Sequence, residues 1–248
     1  MTGYRQSLAA LASAQKGAAR SAPAYSRFVN RRLGRFLAAG AHTLGLSPNQ
    51  VTGLSALATF VGIGLLAALP PSWALGVAVA VLLALGYALD SADGQVARLT
   101  GTGSRAGEWL DHVVDATKIA TLPLALLVGL YRADAAPVAW LLVPLVHAVA
   151  GSVYFFGMIL TEQMRAASGV RSVARTGGRA PWLRSVLGLP TDYGVLCLCF
   201  ALLGGGGVFL AAYSAVVLAT VLVALAAGVS WYRELVRAGR PVPVVVGV

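Results

Sequence analysis

This sequence is short of charge, and of negative charge above all. Charged residues make up 11% of its 248 positions, and only nine are acidic. A soluble domain carries about twice that charged share, so an ordinary soluble fold is excluded. Cysteine is nearly absent. Cys197 and Cys199 lie two apart in an apolar run, where helical positions point away from each other. That excludes a disulfide or a shared metal between them. The three histidines, His42, His112 and His147, have no companions at metal-ligand spacing and read as structural. No internal repeat, phosphate-binding glycine loop or catalytic-serine context is present. The first 50 residues carry seven basic residues and no terminal apolar core, so no signal peptide is expected and the first span serves as the insertion signal.

What the chain has is apolar length. Hydrophobic residues are 58% of it and the mean hydropathy is +0.76, as in a polytopic membrane protein. Apolar runs at 51–69, 72–90, 112–131, 137–160, 187–206 and 208–231 give six expected spans, most near the length that crosses a bilayer. Leu69-Pro70-Pro71-Ser72 and Gly204 to Gly207 mark tight turns between them. Ser47-Pro48-Asn49-Gln50 opens the first span as an N-cap, a first-turn proline and a capping box.

The net charge of +10 is not spread as a nucleic-acid partner would require. Basic residues sit at the ends of apolar runs. Seventeen fall in the N-terminal segment, the 98–110 and 161–190 loops and the tail; the opposite side holds Arg132, and Lys118 lies within a span. The positive-inside rule then puts both termini and both long loops in the cytoplasm. Before the first span, Phe28, Val29, Leu33, Phe36 and Leu37 oppose a stripe of Arg27, Arg31 and Arg35. This describes an amphipathic helix in the headgroup layer, or one docked on another protein. Trp109, Trp140, Trp182, Trp231 and Tyr232 sit near span ends, as interfacial anchors do.

Four of the nine acids stand together in sequence. Asp90 and Asp93 close the second run; Asp111 and Asp115 open the third. Spacings of three and four put each pair on one helix face. Ionised carboxylates beside apolar runs are costly without positive compensation. An antiparallel helix pair would bring all four together. Oxygen-only ligation suits hard divalent ions such as magnesium, manganese or calcium, and a two-metal centre can clamp a diphosphate for in-line displacement. Gly94 and Ala97 let a nucleotide approach the backbone. Arg98 can donate to a phosphate, and Gly107 starts the next helix close to it. Lys118 shares the face of Asp111 and Asp115, as a counter-ion or a phosphate contact. A cation-coupled transporter would also place acids in a membrane, but has no need of the Gly-x-x-Ala-Arg between them.

The whole pattern, Asp90-x-x-Asp93-Gly94-x-x-Ala97-Arg98, eight residues, then Gly107-x-x-x-Asp111-x-x-x-Asp115, resembles the signature of the CDP-alcohol phosphotransferase family. The resemblance implies an all-α enzyme using two Mg2+ or Mn2+ ions. Asp90, Asp93, Asp111 and Asp115 would be metal ligands, and Asp115 also the general base. Asp93, Gly94, Ala97, Arg98 and Gly107 would meet the nucleotide. A Pro-Asn-x-x-Thr element also resembles the family, so Asn49 and Thr52 would contact the nucleotide, or would only belong to the helix cap. The implied reaction moves a phosphatidyl group from CDP-diacylglycerol to a hydroxyl acceptor in phospholipid synthesis, releasing CMP. The alternative is transfer from a small CDP-alcohol of the choline or ethanolamine type to a lipid hydroxyl. A homodimer is implied too.

The expected layout is an N-terminal segment, 1–45, a six-helix transmembrane catalytic domain, 46–232, and a cytoplasmic tail, 233–248, in the cell membrane. Arg165, Arg171, Arg175 and Lys118 are acceptor candidates if the acceptor is phosphorylated. The other reading of the arginine-rich loop is attraction to anionic lipid. The run Glu162 to Gly169 only partly resembles that of relatives using inositol phosphate. Asp192-Tyr193 would meet the acceptor or cap the fifth helix.

Overall fold

The computed structural model describes residues 3–14, 25–167 and 192–238, and every regular element among them is helical. Helix α1 spans Tyr4–Ala14. A π-turn, Ser26–Asn30, leads into α2, Arg31–Thr43. Three long helices follow: α3, Pro48–Ala68; α4, Trp73–Thr100; and α5, Arg105–Arg132. A 3-10 turn, Val138–Leu141, runs into α6, Leu142–Ala167. Helix α7 is Tyr193–Phe200, and after a second 3-10 turn, Leu203–Gly205, α8 covers Gly207–Ala238.

The helix ends follow the local chemistry. The Ser47–Gln50 capping box forms as the sequence predicts, with both reciprocal bonds present. Ser72 caps α4 through the Leu75 amide at 3.1 Å, and Ser104 caps α5 through the Gly107 amide at 3.0 Å. Such caps satisfy amides that a helix start leaves bare. Gly101 ends α4 in the left-handed region, with φ 68°.

Among the described residues, five helical stretches are long and apolar enough to cross a membrane: α3, α4, α5, Val138–Ala167 and Gly207–Arg237. The sequence predicts six. The expected fifth run begins outside the described residues. Within them it yields only the eight residues of α7, about 12 Å of helix. Asp192 caps its start through the Gly194 amide, and it ends at Phe200, ahead of the 3-10 turn Leu203–Gly205.

The motif helices also extend further than their apolar runs. α4 continues past Asp93 to Thr100, and α5 already starts at Arg105. Residues such as Gln95, Ala97, Arg98 and Leu99 favour helix, so nothing before Gly101 halts it. The motif therefore lies on two helix shafts joined by the short turn 101–104.

α3 packs on both α4 and α5, α5 on α6, and α6 on α8. The α3–α4 crossing is close: a side chain on Gly86 would collide with Thr59, and Ser55 Oγ donates to the Gly86 carbonyl at 2.8 Å. At the other end, Gly129 of α5 lies against the Leu66 carbonyl with no room for a Cβ. The main core holds Tyr213, Phe200, Phe209, Leu83, Leu122 and Leu126. A second core lies nearer the motif, where Ala38 and Ala39 of α2 meet Val51, Ala92 and Val96. Small residues let α2 sit close to α4, while Phe28, Val29, Leu33 and Phe36 stay exposed. Arg27 and Arg35 lie over the rings of Phe28 and Phe36 at 5.1 and 5.7 Å.

Candidate active site

Antiparallel α4 and α5 bring the aspartates to one place, with one departure from the expected set of four. Carboxylate oxygens of Asp90, Asp111 and Asp115 lie within 4.8 Å of one another. Asp93 does not join them. It is turned toward α3, 7% exposed, where Thr52 Oγ1 donates to its Oδ2 at 2.6 Å and the Gly94 amide donates to its Oδ1. Three helical positions turn through about 300°, so Asp90 and Asp93 share a face but lean to opposite edges of it.

Lys118 sits inside the trio. Its ammonium lies 2.8 Å from Asp90 Oδ1 and 2.5 Å from Asp115 Oδ1, and the residue is 6% exposed. It pairs with both carboxylates, as one of the two roles the sequence allows would have it. One buried oxygen of the trio remains unserved: Asp111 Oδ1 has no hydrogen-bond partner among the described residues. A buried acceptor left bare is costly, and three hard oxygen ligands around it suit a divalent cation. The residues present fit one ion at this trio.

Two cavities meet the cluster, each lined by a different pair of the aspartates. The first, about 470 Å³, is lined by Asp93 and Asp111 together with Asn49, Gly94, Ala97 and Gly107. Pro48 and Thr52 complete the α3 side of its wall. Asn49 closes on Gly107 so tightly that a Cβ there would stand 2.9 Å from Asn49 Oδ1. The second cavity, about 380 Å³, is lined by Asp90, Asp115 and Lys118 with Tyr87, Tyr154 and Tyr193.

Of the expected nucleotide contacts, Asp93, Gly94, Ala97, Gly107, Asn49 and Thr52 line the first cavity. Arg98 does not; it is exposed, with its guanidinium near Gly94. Ser104, Arg105 and Glu108 belong to the wall as well. Reading Ser104 as an N-cap, as for Ser47, would have placed the turn beside Gly107.

Arg165 lines neither cavity. Its Nε and Nη2 donate to the two carboxylate oxygens of Glu234 at 2.7 and 2.6 Å, joining α6 to α8. Arg171, Arg175 and most of the arginine-rich loop lie outside the described residues, as does Trp182. Asp192 caps α7 and its Oδ2 accepts from the Ser26 amide at 2.9 Å. His112 stands edge-on to Phe155 at 6.2 Å, and His147 bonds Tyr213 at 2.7 Å.

A search of curated proteins gives no match. A family model described as CDP-alcohol phosphatidyltransferase matches residues 45–246, which takes in α3 through α8 and every aspartate of the cluster. Membership implies transfer of a phosphate–alcohol group from a CDP-alcohol, and the transporter reading gives way to it. On that match the chain belongs to the CDP-alcohol phosphatidyltransferase family.

Proposed function

We propose that this protein transfers a phosphatidyl or other substituted phosphate group from a CDP-alcohol to a hydroxyl acceptor, releasing CMP. CDP-diacylglycerol is the expected donor and phospholipid synthesis the setting. The observation that carries this reading is the unserved Asp111 oxygen in a three-carboxylate cluster that borders a cavity of nucleotide size.

The CMP half of the donor lies in the first cavity, against Gly94, Ala97 and Gly107, where small residues leave the backbone open to it. Asn49 closes the far wall. Thr52 holds Asp93 in place by its hydrogen bond. Asp90, Asp111 and Asp115 hold divalent metal, with Asp93 completing the ligands if two ions bind. Bound Mg2+ or Mn2+ supplies positive charge against the pyrophosphate and the departing CMP.

Asp115 is the general base. Its carboxylate takes the proton from the acceptor hydroxyl, the acceptor oxygen forms a bond to the β-phosphorus, and the bond from that phosphorus to CMP breaks. CMP leaves with the electron pair. Lys118 balances Asp90 and Asp115 while no substrate is present.

The arginine-rich stretches of the sequence, with the exposed Phe28 of the π-turn and Leu33 and Phe36 of α2, suit the cytoplasmic headgroup layer of the cell membrane. A homodimer is the expected assembly. The test is purified protein with Mg2+ or Mn2+, CDP-diacylglycerol and a panel of acceptors, scored for CMP. Metal-dependent CMP release supports the assignment; CMP formation unaffected by removing metal counts against the centre described here.

A further inference from the structure

We infer that the π-turn Ser26–Asn30 and the start of α2 sense the charge of the lipid surface. Their outer side binds an anionic lipid surface, and their inner side holds the wall of the second cavity. The effect on turnover rests on the function proposed above; the binding does not.

The outer side matches such a surface in charge and in shape. Phe28, Val29, Leu33 and Phe36 are between 40% and 50% exposed. They stand among Arg27, Arg31, Arg32 and Arg35 in the sequence. The guanidinium groups of Arg27 and Arg35 lie over the Phe28 and Phe36 rings. The first acid of the chain is Asp90, so the seven basic residues before it have no acid nearby in sequence. Rings of this kind enter the acyl boundary while the guanidinium groups meet lipid phosphates.

The inner side is tied to two helices. The Ser26 amide donates to Asp192 Oδ2 at 2.9 Å. Asn30, 2% exposed, donates from Nδ2 to the Tyr87 carbonyl at 3.1 Å. The Tyr25 ring stacks on that of Tyr87 at 6.4 Å, and a side chain on Gly194 would collide with it. Tyr87 and Asp192 line the second cavity, and so does Tyr193, which meets Tyr87 edge-on at 5.1 Å. Tyr87 lies about one turn before Asp90 on α4. One short turn therefore presents Arg27, Phe28 and Val29 outward and holds α4 and α7 from behind. π-turns recur at functional sites. A lipid surface that binds the seated turn better than the released one shifts the population toward it, and the cavity wall is fixed with it.

The experiment uses the full chain in maltoside micelles that contain phosphatidylcholine, with or without a third of it replaced by phosphatidylmethanol. That lipid is anionic and has no hydroxyl to act as acceptor. Hydrogen exchange over residues 27–36 reads binding. CMP release reads its effect, with Mn2+, a fixed fraction of CDP-diacylglycerol and the acceptor chosen by the panel above. Anionic micelles are expected to slow exchange severalfold and to raise CMP release about threefold or more, both reversed by high salt. Arg27→Gln, Arg31→Gln, Arg32→Gln and Arg35→Gln together remove both responses and leave CMP release in neutral micelles as it was. Gly194→Ala keeps the slowed exchange and loses the rise in CMP release, because Tyr25 is pushed off α7. Should that variant fail to fold, Asn30→Ala replaces it, with the same expected result. Equal exchange in the two micelles overturns the surface and returns this face to a protein partner. Slowed exchange with unchanged wild-type CMP release overturns the link to the cavity. Both outcomes leave the phosphotransferase assignment standing. No CMP in either micelle overturns that assignment and the link with it, and exchange alone then decides the surface.

Discussion

Lys118 Nζ stands 2.8 Å from Asp90 Oδ1, so a side chain of α5 already neutralises a carboxylate of α4. Replacing it with methionine leaves two carboxylates uncompensated in a mostly buried setting. Breaking such a pair costs about 3 kcal/mol or more. Lys118→Met is expected to unfold at lower temperature in metal-free detergent, and to recover most of the loss when Mn2+ is added, because the ion then takes over the neutralisation. Thermal unfolding with and without Mn2+ measures this. A deficit that Mn2+ does not repair would mean that the lysine serves packing instead.

Asp115→Asn keeps the shape of the side chain and removes the proton acceptor. Transfer is expected to fall by about a hundredfold or more while the protein still inserts and elutes as the wild type does. CMP release close to normal in this variant would take Asp115 out of the base role.

Thr52→Val deletes the hydroxyl that holds Asp93. The carboxylate is buried, so the lost bond is expected to cost about 1–3 kcal/mol. Weaker binding of CMP should accompany it, since Asp93 forms part of that wall. Calorimetric titration with CMP reads the second effect independently of turnover; unchanged affinity would confine Thr52 to a structural duty.

Arg165→Ala separates α6 from Glu234 of α8. The pair is partly exposed, and such pairs contribute at most about 1 kcal/mol. Acceptor KM is expected to stay within twofold of wild type, because Arg165 borders neither cavity. A tenfold rise in KM for a phosphorylated acceptor alone would return this arginine to the acceptor site.

Much of this was legible from spacing alone. The capping box at Ser47, the helical pairing of Asp111 with Asp115 and the position of Lys118 on their face all follow from a period of 3.6 residues. Local order of this kind needs no partner. What the spacing could not give is which neighbour each carboxylate meets. Asp93 finds Thr52 of α3 and Asp90 finds Lys118 of α5, a matter of helix packing between distant segments. The short α7 was hidden for a similar reason. Its residues are as apolar as those of a span, and hydropathy does not register that the helix starts at the Asp192 cap and ends at Phe200.

Three glycine contacts with α3 fasten the motif helices. α4 is held at Gly86, about one turn from Asp90, and α5 both at Gly107, about one turn before Asp111, and at Gly129, about 27 Å along its axis from Asp111. Each pair of aspartates is therefore mounted about one turn from a point fixed on the same helix. A tilt of α3 then carries all four carboxylates together and leaves their spacing as it was.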